Sequence, residues 1–232
     1  MEPVVCSPED ASALTQEDLP ILFEQYEILA KEMIKRKKEG RPFTFYHYML
    51  DLGFTELSME PVVCESGDPS ELTEADFPIV CNQYEELAKL MLKRDREGKP
   101  FTFYHYMIDL TGGPCIYKRI SGCGSGTEYM AVTPTGDLYP CHQFVGDSKY
   151  SLGNIWDGVK NTDAQDEFRS CNAYSRPECK DCWAKLYCSG GCAANSYHST
   201  GSISGVYKYG CELFKKRMEC AIMMQIAEND EE

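Results

Sequence analysis

No stretch of this chain approaches the roughly 20 consecutive apolar residues that a membrane-spanning helix needs, so no membrane partner is expected. Positive charge is also scarce. Lys and Arg number 23 against 37 Asp and Glu, a formal net charge of −14. A phosphate backbone wants a basic face, which argues against a nucleic-acid partner. Residues 1–18 carry Glu2, Glu9, Asp10, Glu17 and Asp18 and no apolar core of a secretion signal. The expected location is cytoplasmic, where thiols stay reduced. Cysteine, by contrast, is abundant: 13 in 232 residues, an odd number that cannot pair fully within one chain. A disulfide scaffold is therefore disfavoured, and reduced thiols with a metal to hold are favoured.

Charge and cysteine divide the chain between them. Residues 1–110 hold 11 basic and 22 acidic residues, and only Cys6, Cys64 and Cys81. The other cysteines follow a turn-forming break at Gly112-Gly113-Pro114. The acidic half is a duplication: residues 1–52 align without a gap on residues 59–110, and most positions are identical. Each copy reads as short strand, helix, strand, a βαβ fragment. In the second copy Thr73 and Asp76 resemble a capping box. Phe77, Val80, Tyr84, Leu87, Ala88, Met91 and Leu92 then follow at helical spacing. Gly98 and Lys99-Pro100 stop the helix, and Phe101 to Met107 reads as an aromatic strand. Two copies are too few to close an α/β barrel or to make a solenoid. His47 and His105 occupy one repeat position and read as half-buried, hydrogen-bonded histidines rather than a ligand pair. Cys6 and Cys64 read as small buried residues. The helices around Tyr26 and Tyr84 read as amphipathic core helices.

The second half carries the chemistry. Cys179-x2-Cys182-x5-Cys188-x3-Cys192 places four thiols in a short span. Thiolates select zinc or iron–sulfur clusters over hard cations. A zinc ribbon separates two tight pairs by a longer loop, and one tetrahedral zinc would leave the surrounding cysteines unexplained. A [4Fe–4S] cluster is larger and can draw ligands from distant parts of the chain. Upstream, Cys123-x12-Gly136-x4-Cys141 reads as a hairpin of Thr127–Thr133 and Asp137–Phe144 about a Pro134-Thr135-Gly136 turn. It would bring Cys123 and Cys141 to one end. Gly122, Gly124 and Gly126 suggest close backbone approach, with N–H groups aimed at cluster sulfides.

These residues together, Cys123, Gly136, Cys141, Cys179, Cys182, Cys188, Cys192 and Cys211, resemble the seven-cysteine SPASM domain. SPASM domains end radical S-adenosylmethionine enzymes that modify peptides and hold auxiliary [4Fe–4S] clusters. Residues 113–129, 131–146 and 188–195 resemble the thioether-forming maturases of six-cysteine SCIFF peptides. The resemblance implies that Cys123, Cys141 and Cys192 hold auxiliary cluster I, with Cys115 or a substrate cysteine as fourth ligand. It assigns Cys179, Cys182, Cys188 and Cys211 to auxiliary cluster II. It implies an α+β chain: a partial TIM-like barrel segment at 56–111, its duplicate at 1–55, and a small irregular cluster domain at 112–232. The implied partners are a Cys-rich precursor peptide and either the missing barrel half or an electron donor.

The family's Cys-x3-Cys-x2-Cys, which binds the cluster that cleaves S-adenosylmethionine, has no counterpart in these residues. S-adenosylmethionine is therefore expected only in a complete enzyme, and this chain is expected to be inactive alone. The alternatives are a zinc-stabilised module and a non-catalytic peptide-binding scaffold. Outside the pattern, Cys171 and Cys220 read as ordinary thiols, with Cys220 on a terminal helix that has Phe214, Met218, Ile222 and Ile226 on or near one face. His142 reads as solvated or locally bonded, His198 as a loop residue and Asp137 as a turn residue. Trp156 and Trp183 read as core or cluster-shielding aromatics.

Overall fold

Short apolar strands that must bury both faces need a covering helix, and the second repeat supplies that unit. In this computed structural model the described residues are 45–61, 72–109, 112–113 and 115–229, with positions 20, 31 and 67. The expectations for Cys6, Cys64 and the Tyr26 helix lie outside them. The chain divides into two units, residues 1–54 and 55–232. In the first, helix α1 (Phe45–Asp51) buries Tyr46, Met49 and Leu50.

In the second unit, β1 (Glu56–Leu57) pairs in parallel with β2 (Thr102–Phe103). Helix α2 (Phe77–Arg96) connects them. Strand, helix and parallel strand follow in the expected order, but the strands are shorter and β1 precedes Met59. The expected strand at Phe101–Met107 turns into a 3-10 helix at Tyr104–Tyr106. Tyr106 causes the turn: its hydroxyl donates to the Tyr84 carbonyl at 2.7 Å, and its ring meets Phe103 edge-on at 4.9 Å. Ahead of α2, the Thr73 N–H and hydroxyl donate to Asp76 Oδ2 at 2.9 and 2.8 Å. Gly98 closes the helix with a φ of 69°.

The cysteine-rich region opens with α3 (Ile116–Ser121) and a four-stranded antiparallel meander, β3 (Ala131–Val132), β4 (Asp137–Tyr139), β5 (Gly153–Asn154) and β6 (Gly158–Val159). The Gly136 turn forms where expected, with its N–H donating to Thr133 at 2.9 Å. The flanking strands are two and three residues long, because the chain after Tyr139 bends into a 3-10 turn at His142–Phe144. Asp137 accepts from Thr135 Oγ1 at 2.7 Å, a turn role. Helices α4 (Thr162–Ser170), α5 (Lys185–Cys188), α6 (Ala193–Thr200) and α7 (Lys208–Asn229) follow. Asn161 caps α4 by accepting from the Ala164 N–H at 3.1 Å.

The apolar core of this region gathers Leu138, Phe144, Tyr150, Leu152, Phe168 and Ile203 around Cys141. Phe144 sits edge-on to Tyr150 at 4.8 Å and to Phe168 at 5.3 Å. Helix α7 packs on α2 and buries Leu213, Met218, Cys220, Ala221 and Met224. Lys216 Nζ reaches Glu85 Oε1 across that contact at 2.5 Å. Ile226, expected on or near one face with Met218, is exposed. So are both tryptophans, Trp156 at 75% and Trp183 at 53%. Trp156 lies over the Gly136 turn, where a Cβ on the glycine would meet its ring at 2.6 Å. His198 lies within α6 rather than in a loop.

Candidate metal centre

The sharp Cys188–Cys192 link needs three successive left-handed residues: Ser189 at φ 57°, Gly190 at 89° and Gly191 at 84°. Two glycines adopt this at no steric cost, and Ser189 is the sole non-glycine of positive φ among the described residues. The turn lets α5 end at Cys188 and α6 begin just after Cys192.

One result is a pocket lined by Cys179, Cys182, Cys188 and Cys211, with Lys185 and Lys215. Cys179 arrives on a 3-10 turn (Pro177–Cys179), Cys188 on α5 and Cys211 on the first turn of α7. Burial pushes the Cys179 and Cys188 thiols up, and the Cys211 thiol up to about 11. Cys182 adds to the rise at Cys179, Cys179 and Cys182 to that at Cys188, and all three of these to that at Cys211. The Gly190 N–H bonds to Cys188 and works the other way, favouring its thiolate. Among the described residues no three His, Cys, Asp or Glu side chains converge on the point of a single metal ion. Four cysteines line one pocket instead, and an all-cysteine donor set with an N–H bonded to Cys188 suits a thiolate-ligated cluster.

Cys141, Cys123 and Cys192 form a second group. Cys141 is buried in the aromatic core, and burial raises its thiol while the Gln143 N–H lowers it. The sulfurs of Cys192 and Cys123 are close enough to raise it further. Both of those residues are exposed. Cys115, also exposed, precedes α3. Cys171, read as an ordinary thiol, stands within electrostatic reach of Cys123 and bonds to Ile203 O at 3.2 Å. Its sequence gave no spacing signal to either group. The Gly126 N–H does not turn toward the sulfurs; it donates to the Tyr129 and Pro140 carbonyls at 2.8 and 2.9 Å.

A separate groove is lined by Glu60, His105, Asp109, Arg119, Tyr187 and Arg217, among others. His105 is half-buried, with Nε2 at 3.1 Å from Ser58 Oγ and Nδ1 at 3.6 Å from Glu60 Oε1. Burial and then the Arg217 charge hold its pKa below the usual value. His47 is exposed against Tyr46. His142 is exposed and bonded locally to Gln143 at 3.0 Å.

Residues 123–183 match the SPASM family, described as an iron–sulfur cluster-binding domain. The fold is similar to solved structures of a protein named anSMEcpe. With bound AdoMet, that structure has a TM-score of 0.57 at 22% identity, over 81% of this chain and 53% of that one. With bound AdoMet and a peptide named Kp18Cys, the values are 0.56 and 20%, over 90% and 62%. An uncharacterized protein of Archaeoglobus fulgidus is 29% identical over 99 residues, 42% of this chain and 24% of that protein. The chain thus spans about a quarter of that relative and little more than half of the anSMEcpe chain in the AdoMet complex.

Proposed function

We propose that this chain is the auxiliary-cluster portion of a radical S-adenosylmethionine peptide maturase, one that forms thioether cross-links in a cysteine-rich, SCIFF-type precursor. The observation that carries the reading is the pocket ringed by Cys179, Cys182, Cys188 and Cys211 in a chain whose residues 123–183 match a cluster-binding family. These four would hold one [4Fe–4S] cluster. Cys123, Cys141 and Cys192 would hold a second, with Cys115 or a precursor cysteine completing it. Residues 112–232 would be the cluster domain, 56–111 the end of a partial barrel and 1–55 its duplicate.

When bound, such clusters supply one-electron transfer. The chain's own residues would deprotonate to bind, exclude water from Cys141 through the aromatic core, and bias each thiolate through N–H bonds at Cys141 and Cys188. Cleavage of S-adenosylmethionine would belong to a part carrying Cys-x3-Cys-x2-Cys, which these residues do not contain. A peptide partner is supported by the similar fold of the structure solved with AdoMet and a bound peptide.

Anaerobic reconstitution with iron and sulfide tests this. About eight iron atoms per chain are expected, falling by about half when Cys179 and Cys188 are both changed to Ala. Stoichiometric zinc in a colourless protein that takes up no iron would overturn it.

A further inference from the structure

Arg176 is 1% exposed, the only charged residue among those described that is buried. It sits between Cys171 and Cys179 in sequence. A guanidinium so fully removed from water is expected to face an anion. Among the described residues no carboxylate lies within ion-pair distance of it. Its partners are neutral: Nη1 donates to the Gly190 carbonyl, and Nη2 donates to Ile203 O at 2.7 Å and to Cys171 Sγ at 3.1 Å. Its Nε has no partner. Cys171 does not supply the missing charge. Burial raises its thiol, which keeps its proton and donates it to Ile203 O.

The position of the cation points to where the anion belongs. Gly190 lines the four-cysteine pocket, and Arg176 lies directly behind it: a Cβ on Gly190 would meet Nη1 at 2.5 Å. The positive charge favours the thiolates of both Cys179 and Cys188 on the pocket wall. Four thiolates around a [4Fe–4S] core give a net charge of 2− when oxidised and 3− after one electron is added. We infer that Arg176 is the built-in counter-charge of the cluster in the Cys179, Cys182, Cys188 and Cys211 pocket, easing its reduction. This rests on the cluster reading above. Arg176 is a positioning residue, touching the pocket wall rather than the iron. Its hydrogen bonds alone do not require a charge, since carbonyls and a thiol also accept from neutral donors. The sequence hides this role, because one arginine beside a cysteine-rich run looks like any surface cation.

The test compares wild type, Arg176→Met and Arg176→Lys after anaerobic reconstitution, by iron content and by redox titration followed by electron paramagnetic resonance. Thermal unfolding of the iron-free proteins is measured alongside. Arg176→Met should shift one cluster's midpoint to lower potential, because the 3− state loses its cation, or should lose about half the iron. Arg176→Lys should restore both. Arg176→Met also loses the bonds to Gly190, Ile203 and Cys171, so iron content and midpoint are compared per folded chain. An unchanged midpoint at full iron content, or equal failure of both variants, would overturn the proposal and leave Arg176 a hydrogen-bonding strut. Wild type that takes up no iron would sink the cluster reading instead.

Discussion

A thiol ligates metal only after losing its proton, so the buried cysteines couple binding to pH. Burial raises the Cys179, Cys188 and Cys211 thiols in the iron-free fold, Cys211 to about 11, against about 8.5 for a free thiol. A raised thiol pKa means that the folded state holds its proton more tightly than the unfolded chain does. Between about pH 8.5 and 11 the unfolded state binds fewer protons, so iron-free stability must fall as pH rises through that window. Ligated thiolates have already lost their protons and contribute no such slope. The melting temperature of the iron-free chain should therefore drop between pH 8 and pH 10 more than that of the reconstituted chain. Tyrosines and lysines that titrate in the same range are common to both forms and cancel in the comparison. Parallel pH profiles would show that these thiols do not bind the iron.

At the level of elements, the contact between α2 and α7 holds the β1–α2–β2 segment to the cysteine-rich region. Leu87 is 1% exposed, and Leu213 on α7 is as deeply buried. Leu87→Ala should cost about 2–5 kcal/mol by chemical denaturation while iron content per folded chain is unchanged. Loss of iron at full stability would instead tie this helix directly to the cysteine pocket. Helix α2 was readable in advance because apolar periodicity, a Thr-Asp start and a Gly stop all agree. The pairing of β1 with β2 was not. Phe-Tyr-His-Tyr-Met occurs twice, yet residues 45–49 lie in α1 while residues 103–107 leave β2 through a 3-10 turn. Identical local sequence takes different forms because residue 103 has Leu57 as a parallel strand partner and residue 106 has Tyr84 as a hydrogen-bond acceptor. The match of residues 123–183 to a cluster-binding family was legible because cysteine spacing survives in sequence. The exposure of Trp156 was not, since a glycine turn three-dimensionally adjacent to it provides its seat. Arg176 was invisible for the same reason: its partners are main-chain carbonyls at positions 190 and 203.

For the whole molecule, the uneven charge and the division into units bear on one question, whether the duplicated segment serves the cysteines. Residues 55–232 contain both cysteine groups, the aromatic core around Cys141 and the α2–α7 contact, and they cluster as a unit of their own. Residues 1–54 contribute Cys6 alone to the thiol inventory and a net charge of −4 to the total of −14. The apolar core also sharpens the expectation for the iron-free state. Phe144, Tyr150 and Phe168 pack edge-on to one another, so loss of iron should loosen the Cys179–Cys192 run before it dissolves the meander. A chain beginning at residue 55 should then reconstitute to the same iron content as the full chain, with the same cluster spectrum and a melting temperature within a few degrees. A truncated chain that binds about half the iron would place a ligand, or the support for one, in the first repeat. One that fails to fold would mean that the duplicate is part of the second unit's structure and not an appended copy.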